Sequence, residues 1–136
     1  MDEIKYAVVC VDDDPFILQM LGFQLSKIVD QKYTLLEYFT DPTVALENID
    51  ELVNEKIDII FIIVDYQMPN MNGAELIRAI KMKYPMLKCV MLSGQANQNS
   101  IDELNKDRLL ESFIEKPWDE EVLFDAIRPI LSGYNS

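Results

Sequence analysis

The chain has 136 residues, 12 basic and 24 acidic side chains, and no histidine, which gives a formal net charge of −12 at pH 7. This length allows one domain with a hydrophobic core, and the charge disfavours nucleic acid or anionic membrane as a direct partner. Without histidine, Ser-His and Cys-His catalytic pairs and His-ligated metal sites are excluded.

Five apolar segments alternate along the chain with five amphipathic ones. The predicted strands are Tyr6–Val11, Tyr33–Phe39, Ile57–Val64, Lys88–Leu92 and Ser112–Glu115. The predicted helices run from Pro15 to about Val29, from Asp41-Pro42 through Val53, and over about Ala74–Lys83, Gln98–Lys106 and Asp119–Leu131. Residues 132–136 are expected to form a frayed tail. Strands that alternate with helices predict βαβ units around a parallel sheet.

No segment has the pattern of a signal peptide or a membrane span. The longest apolar run, Ile59–Val64, is far too short to cross a bilayer, so we expect a cytoplasmic protein. Cys10 and Cys89 fall in the first and fourth strands, roughly 9–10 Å apart if the third strand lies between them. A disulfide needs a closer approach, so we expect two small buried thiols.

Five polar side chains, at the C-terminal ends of four of the predicted strands, suggest one site. Asp12 and Asp13 follow the first strand, Asp65 the third, Ser93 the fourth and Lys116 the fifth. The carboxyl ends of parallel strands share the edge where ligands bind, so we expect these side chains to form one site. Three carboxylates repel each other unless a cation joins them, and Mg²⁺ prefers oxygen ligands. The sequence therefore predicts Mg²⁺, or Mn²⁺, beside a phosphoryl group carried by Asp65.

Each of these motifs also has a structural explanation. The acidic turn could be a solvated loop in which Asp14 caps the first helix. The Ser-Gly pair after the fourth strand could be an ordinary turn, and the lysine an exposed charge. The segment Val64–Gly73 is more specific, because Met, Pro, Met and Gly follow the aspartate at fixed offsets and would hold a rigid loop beside it. An aspartate is also a known nucleophile towards phosphoryl groups.

Together these motifs resemble a response-regulator receiver domain of the chemotaxis-regulator kind, the module that histidine kinases phosphorylate in two-component signalling. The resemblance covers about Ile4 to Leu131 and depends on the aspartate pair, on Asp65 with its Met-Pro and Gly, and on the Ser-Gly and Lys-Pro pairs. It implies an α/β, flavodoxin-like (βα)₅ fold, a doubly wound five-stranded parallel sheet of order 2-1-3-4-5. It also implies that residues 1–136 form a single receiver domain.

The resemblance assigns a role to each polar residue at the strand ends. Asp65 would be the phospho-acceptor and would also contact Mg²⁺. Asp13 would bind the ion directly, Asp12 through water, and Gln67 through its backbone carbonyl. Lys116 would pair with Asp65 and then with the phosphoryl oxygens.

Further positions would report or tune phosphorylation. Ser93 would donate a hydrogen bond to the phosphoryl group, and Phe113 occupies the aromatic switch position, so the surface of the fourth helix, fifth strand and fifth helix would repack. Gly94 would leave the acceptor open to a bulky donor. Gln67 and Gln95 flank the path of attacking water, which their amides would either orient or screen.

The resemblance implies a signalling receiver and not a turnover enzyme. Its partners would be a histidine kinase or phosphotransfer protein and a downstream effector domain or protein, with no direct contact to nucleic acid or membrane. A homodimer that forms through the fourth and fifth helices is also possible. Two alternatives also stay open: a pseudo-receiver that acts as a protein interaction module, and a regulatory fragment of a larger protein with an enzymatic output domain.

Two other classes of protein share parts of this pattern. An aspartate-nucleophile phosphatase would need a second aspartate two residues after Asp65, where Gln67 stands. A flavin-binding module would need a Ser-, Thr- and Gly-rich phosphate loop after the first strand, where three aspartates would repel a phosphate. The sequence disfavours both.

Overall fold

Five strands and five helices alternate along the part of the chain that the computed structural model describes, residues 3–94 and 98–134. The strands are β1 Tyr6–Val11, β2 Thr34–Phe39, β3 Asp58–Asp65, β4 Cys89–Ser93 and β5 Ser112–Glu115. The helices are α1 Pro15–Leu25, α2 Pro42–Asn54, α3 Gly73–Lys83, α4 Gln98–Lys106 and α5 Glu120–Leu131.

The strands form one parallel sheet in the order β2-β1-β3-β4-β5. Asp65 at the end of β3 lies beside Leu92 of β4, and Ser93 at the end of β4 lies beside Glu115 of β5. The direction of winding reverses between β1 and β3, which places the topological switch point at the ends of these two strands. The flavodoxin-like fold and the strand order predicted from the resemblance are confirmed.

Apolar side chains fill both faces of the sheet. In β1, Ala7, Val9 and Val11 face the layer formed by α2, α3 and α4, whereas Val8 and Cys10 face α1 and α5. All of these side chains are fully buried. A parallel strand covered on both faces has no polar side, which explains why the central strands are apolar along their length.

The main differences from the predicted bounds lie at helix α1 and at the strand ends that carry the site. Helix α1 ends at Leu25 and not near Val29. The backbone N–H groups of Lys27 and Ile28 donate three residues back, to the carbonyls of Gln24 and Leu25, and the chain continues as turns. Strands β3 and β4 begin and end one residue later than predicted. Their pairing continues one residue further, so Asp65 and Ser93 are strand residues and are held by the sheet.

Both cysteines are free and buried, as expected. Burial raises the pKa of the Cys10 thiol well above its usual range and that of Cys89 to about 12, so both stay protonated.

Near the C-terminal end of the described residues, the ring of Tyr134 packs edge-on against Tyr6 with 5.5 Å between centroids. The expected frayed tail is therefore packed as far as Tyr134, and the last two residues lie outside the described range.

Among residues 3–94 and 98–134, no helix combines the length and apolar composition that crossing a membrane requires.

Candidate functional site

The acidic turn after β1 gives its three aspartates three different environments. Asp12 is fully buried, and its Oδ1 accepts a hydrogen bond from the backbone N–H of Asp14 at 2.9 Å. Asp13 is exposed. Asp14 caps α1, because its Oδ1 accepts from the backbone N–H of Phe16 at 2.9 Å and Pro15 begins the helix. Capping thus uses Asp14 and leaves the other two carboxylates for the site.

The loop after β3 closes tightly over the end of that strand. Asp65 is 3% exposed. The backbone N–H of Gly73 donates at 2.7 Å to the carbonyl of Tyr66, the residue that follows Asp65. A Cβ atom on Gly73 would collide with the carbonyl oxygen of Asp65 and would lie 2.9 Å from the Cα of Tyr66. Only glycine allows this approach, which is the physical reason for its fixed offset from the aspartate.

Lys116 joins the two buried carboxylates. Its Nζ lies 3.0 Å from Oδ2 of Asp12 and 2.9 Å from Oδ1 of Asp65. Its backbone N–H donates to the carbonyl of Ser93 at 2.8 Å, which anchors it at the end of β5. The following peptide bond to Pro117 is cis.

The carboxylates of Asp12, Asp13 and Asp65 can hold a cation together. One ligand oxygen from each lies within 4.8 Å of the others. Asp13 and the exposed Gln67 also line an open cavity of ≈ 340 Å³ beside the loop after β3. Hard oxygen donors at an open site suit Mg²⁺, which keeps several of its waters. The donor set therefore fits the ion that the sequence indicated.

Burial and mutual repulsion favour the protonated forms of the buried acids. Burial raises the pKa of Asp65 to about 6, with the charges of Asp12 and Asp13 adding to this effect and the hydrogen bond from Lys116 opposing it. Burial likewise raises the pKa of Asp12, against hydrogen bonds from Asp14 and Lys116. Burial also lowers the pKa of Lys116, but its bonds to both carboxylates outweigh that and leave the pKa raised. The site is short of positive charge, so a cation would be attracted to it.

The residues assigned to reporting and tuning lie around this cluster. Ser93 is buried at the end of β4. Gly94 is exposed, and a Cβ there would meet nothing within 4 Å, so the space beside it is open. Phe113 on β5 is 37% exposed and lies at the surface. Gln95 lies outside the described residues.

Two hydrogen bonds near the site were missed by sequence reasoning. The hydroxyl of Tyr66, directly after Asp65, lies 3.1 Å from that of Ser100 in α4. The indole N–H of Trp118 donates to Oε1 of Gln24 in α1 at 2.9 Å. A lone glutamine on the core side of an otherwise apolar helix was the available signal for the second bond, but its partner lies far along the chain.

These features define a cluster of three aspartates that could hold a cation, at the switch point of a doubly wound parallel sheet, together with the lysine that directly follows the last strand. The sequence profile of the family described as "Response regulator receiver domain" matches residues 8–128. The chain belongs to this family.

Curated relatives with similar sequences are longer proteins. The chain is 30% identical over 133 residues to the transcriptional regulatory protein DegU of Brevibacillus brevis, which covers 98% of this chain and 53% of that protein. It is 27% identical over 117 residues to the transcriptional regulatory protein GlrR of Escherichia coli, with 86% and 24% covered. It is 34% identical over 73 residues to the autoinducer 1 sensor kinase/phosphatase LuxN of Vibrio campbellii, with 54% and 8% covered. The chain thus spans about half or less of these relatives.

Solved structures share the fold over nearly the whole chain. A response regulator receiver domain protein from Clostridium thermocellum superposes with a TM-score of 0.80 at 22% identity, covering 95% of this chain and 96% of that one. The chemotaxis protein CheY4 of Vibrio cholerae gives a TM-score of 0.76 at 26% identity, covering 93% and 99%.

Proposed function

We propose that the chain accepts a phosphoryl group on Asp65 from a phosphohistidine of a partner protein, in a Mg²⁺-dependent step. The observation that carries this proposal is the contact of one ammonium group, that of Lys116, with two buried carboxylates at the switch point. Membership of the receiver family supports it, because receivers are signalling modules and not turnover enzymes.

The chemistry follows from the positions of the charged groups. The carboxylate of Asp65 attacks phosphorus in line, forming the acyl phosphate bond while the P–N bond breaks and its electron pair returns to the donor imidazole. Such a transfer depends mainly on positioning and on charge neutralisation. Lys116 offsets the charge that develops on the equatorial phosphoryl oxygens. When bound, Mg²⁺ would add positive charge there, held by Asp12, Asp13 and Asp65 with the carbonyl of Gln67.

The phosphoryl group then changes the surface of the domain. An acyl phosphate carries a charge of about −1.5 to −2, which Lys116 faces directly. We propose that the hydroxyl of Ser93 donates to a phosphoryl oxygen and that Phe113 leaves its exposed position for the space that becomes available. This movement would favour one of two arrangements of the surface formed by α4, β5 and α5.

An apolar surface beside the site suits a protein donor. Helix α1 carries no charged residue, and Phe16, Met20 and Phe23 are 77%, 40% and 67% exposed. Apolar patches of this kind mark protein interaction sites. The helix begins directly after the acidic turn, so a donor that docks on it lies close to the acceptor.

The partners of the domain are part of the proposal. The names of the relatives include a sensor kinase/phosphatase and several transcriptional regulators, which supports a histidine kinase or phosphotransfer protein upstream and an effector downstream. We propose that residues 4–131 act as one receiver unit, and that its effector lies in the same or in another polypeptide.

The deciding experiment is the intact mass of the chain after incubation with acetyl phosphate and Mg²⁺. A gain of about 80 Da in the wild type, absent in Asp65→Asn and in the presence of a chelator, is expected. Asp119→Asn is the matched control, because it removes the same charge from an exposed position whose side chain makes no capping hydrogen bond. No gain in the wild type, under conditions that modify another receiver, would leave the pseudo-receiver as the better description.

A further inference from the structure

We propose that Gln24 and Trp118 are positioning residues for Lys116, and that the hydrogen bond between them sets where the ammonium group stands between Asp12 and Asp65. The proposal deepens the proposed function and rests on it.

The bond occupies a place where packing alone would prefer an apolar residue. Gln24 is 8% exposed and lies on the side of α1 that buries Leu21 and Leu25. The indole of Trp118 packs against the same core, and its N–H is the donor to the Gln24 side chain. Burying an amide is costly unless it is hydrogen-bonded, and leucine would fill the same volume without that cost. The pair therefore does more than fill space.

Lys116 is held by one anchor on each side in the chain. On the upstream side, its backbone N–H donates to the carbonyl of Ser93 at 2.8 Å. On the downstream side, only Pro117 separates it from Trp118, whose indole is tied to α1. A shift of the indole is therefore transmitted over two residues to the lysine, whose Nζ must stay within 3.0 Å of two different carboxylates.

The same helix also determines the acidic side of the site. The first turn of α1 is bonded to Asp14, and the N–H of Asp14 is bonded to the carboxylate of Asp12. Gln24 lies in the last turn of the helix. Helix α1 thus connects to the carboxylate at one end and to the loop of Lys116 at the other. The Gln24–Trp118 bond fixes the acid and the ammonium relative to each other.

A second link between the same elements provides the matched control. Lys27, just after α1, donates to Glu120 at the start of α5 at 2.7 Å. Both side chains are substantially exposed, at 44% and 32%, and such a pair contributes little. Lys27→Met removes this exposed link between α1 and α5 and changes neither partner of the indole–amide bond.

The first measurement is the rate of phosphorylation by acetyl phosphate at saturating Mg²⁺. Gln24→Met keeps the size of the side chain and removes the acceptor, and we expect it to lower the rate about tenfold, because small displacements of reacting groups are costly. Trp118→Phe should produce a similar loss. Gln24→Glu keeps an acceptor oxygen and should recover most of the rate, while Lys27→Met should change the rate less than about twofold.

A double-mutant cycle separates positioning from general loosening of the fold. If Gln24 acts through Lys116, then Gln24→Met causes no further loss of rate in a Lys116→Ala background. An equal fractional loss in both backgrounds would overturn the proposal.

Mg²⁺ affinity, measured by calorimetry, gives a readout that needs no phosphoryl transfer. A poorly positioned ammonium competes less for Asp12 and Asp65, so Gln24→Met should tighten Mg²⁺ binding by at least about twofold, and only when Lys116 is present. A weaker or unchanged affinity would contradict the proposal, since general damage would loosen the ion as well. If the affinity shifts as expected and the wild type accepts no phosphoryl group, the positioning role stands and the proposed function fails.

Discussion

The hydroxyl of Tyr66 lies 3.1 Å from the hydroxyl of Ser100. Tyr66 directly follows Asp65 and donates its backbone N–H to the carbonyl of Leu92 at 2.8 Å, whereas Ser100 belongs to α4. One hydrogen bond therefore connects the residue after the proposed acceptor to a helix of the proposed output surface. It offers a route from the site to α4 that does not pass through Phe113.

Removing this bond is expected to loosen α4. Tyr66→Phe keeps the ring and deletes a hydrogen bond worth about 0.5–1.5 kcal/mol, so amide hydrogen exchange in α4 should quicken about two- to tenfold. Ser100→Ala should have the same effect. Tyr84→Phe removes a tyrosine hydroxyl bonded to Asp50, away from α4, and is the control. Unchanged exchange in Tyr66→Phe would show that the bond carries no coupling.

Lys116 is expected to stabilise the fold because its single positive charge lies between two buried acids. Lys116→Met should lower the free energy of unfolding at pH 7.5 by about 2–3 kcal/mol, less than for a fully buried pair because the lysine is partly exposed. Addition of Mg²⁺ should restore part of the loss, as measured by urea denaturation. Lys83→Met breaks the exposed pair with Asp50 and should cost much less, because solvent screens that pair. Equal losses in the two variants would mean that burial of the carboxylates has little consequence.

The raised pKa of Asp65 makes stability depend on pH in a defined direction. The pKa is about 6 in the folded protein against an ordinary value of 3.8, so the folded state binds this proton more tightly than the unfolded state does. The contribution of Asp65 to stability is therefore greatest below the ordinary value and is lost as the pH rises through about 6.

Asp65→Asn removes this titration and should stabilise the protein at pH 7.5 in the presence of a chelator. The advantage should shrink as the pH falls and should vanish near pH 4, where the wild-type carboxyl is also neutral. Thermal unfolding of both proteins between pH 4 and 8 tests this. A difference that stays constant over that range would contradict the raised pKa.

Two glycines near the site should respond differently to alanine. Gly73→Ala forces a methyl group against the backbone of Asp65 and Tyr66 and should destabilise the protein by about 1–3 kcal/mol. Gly94→Ala adds a methyl group to open space and should change stability by less than about 0.5 kcal/mol. Urea denaturation measures both, and a tolerated Gly73→Ala would mean that the loop can move away from the strand.

The exposed apolar side of α1 should matter only for protein donors. Replacing Phe16 and Phe23 by serine should slow transfer from a histidine kinase that phosphorylates the wild type by about tenfold or more, since aromatic contacts carry much of an interface. The rate with acetyl phosphate should stay the same. Met82→Ser with Met86→Ser removes two apolar side chains that are even more exposed and lie elsewhere, and should leave both rates unchanged. A slower reaction with acetyl phosphate would instead indicate damage to the site.

The order of strands and helices, and the edge of the sheet at which the site lies, could be read from local patterns in the sequence. The apolar run Ile59–Val64 and the Asp-Pro pairs that begin α1 and α2 are local signals, because periodicity and capping act over a few residues. The aspartates and Lys116 follow predicted strands directly, and in a parallel sheet the ends of these strands lie at one edge. The strand order came from the resemblance to receivers, and the sheet confirms it.

The environment of each residue at that edge depends on long-range contacts that the sequence pattern does not reveal. The Lys116–Asp12 contact joins residues 104 apart in the chain, the Trp118–Gln24 bond joins residues 94 apart, and the Tyr66–Ser100 bond joins residues 34 apart. Asp12 is buried, which raises its pKa, whereas the neighbouring Asp13 is exposed and accessible to a cation. Such contacts depend on how whole layers pack against the sheet. That packing depends on many residues that are distant in the chain, so no short sequence pattern predicts it.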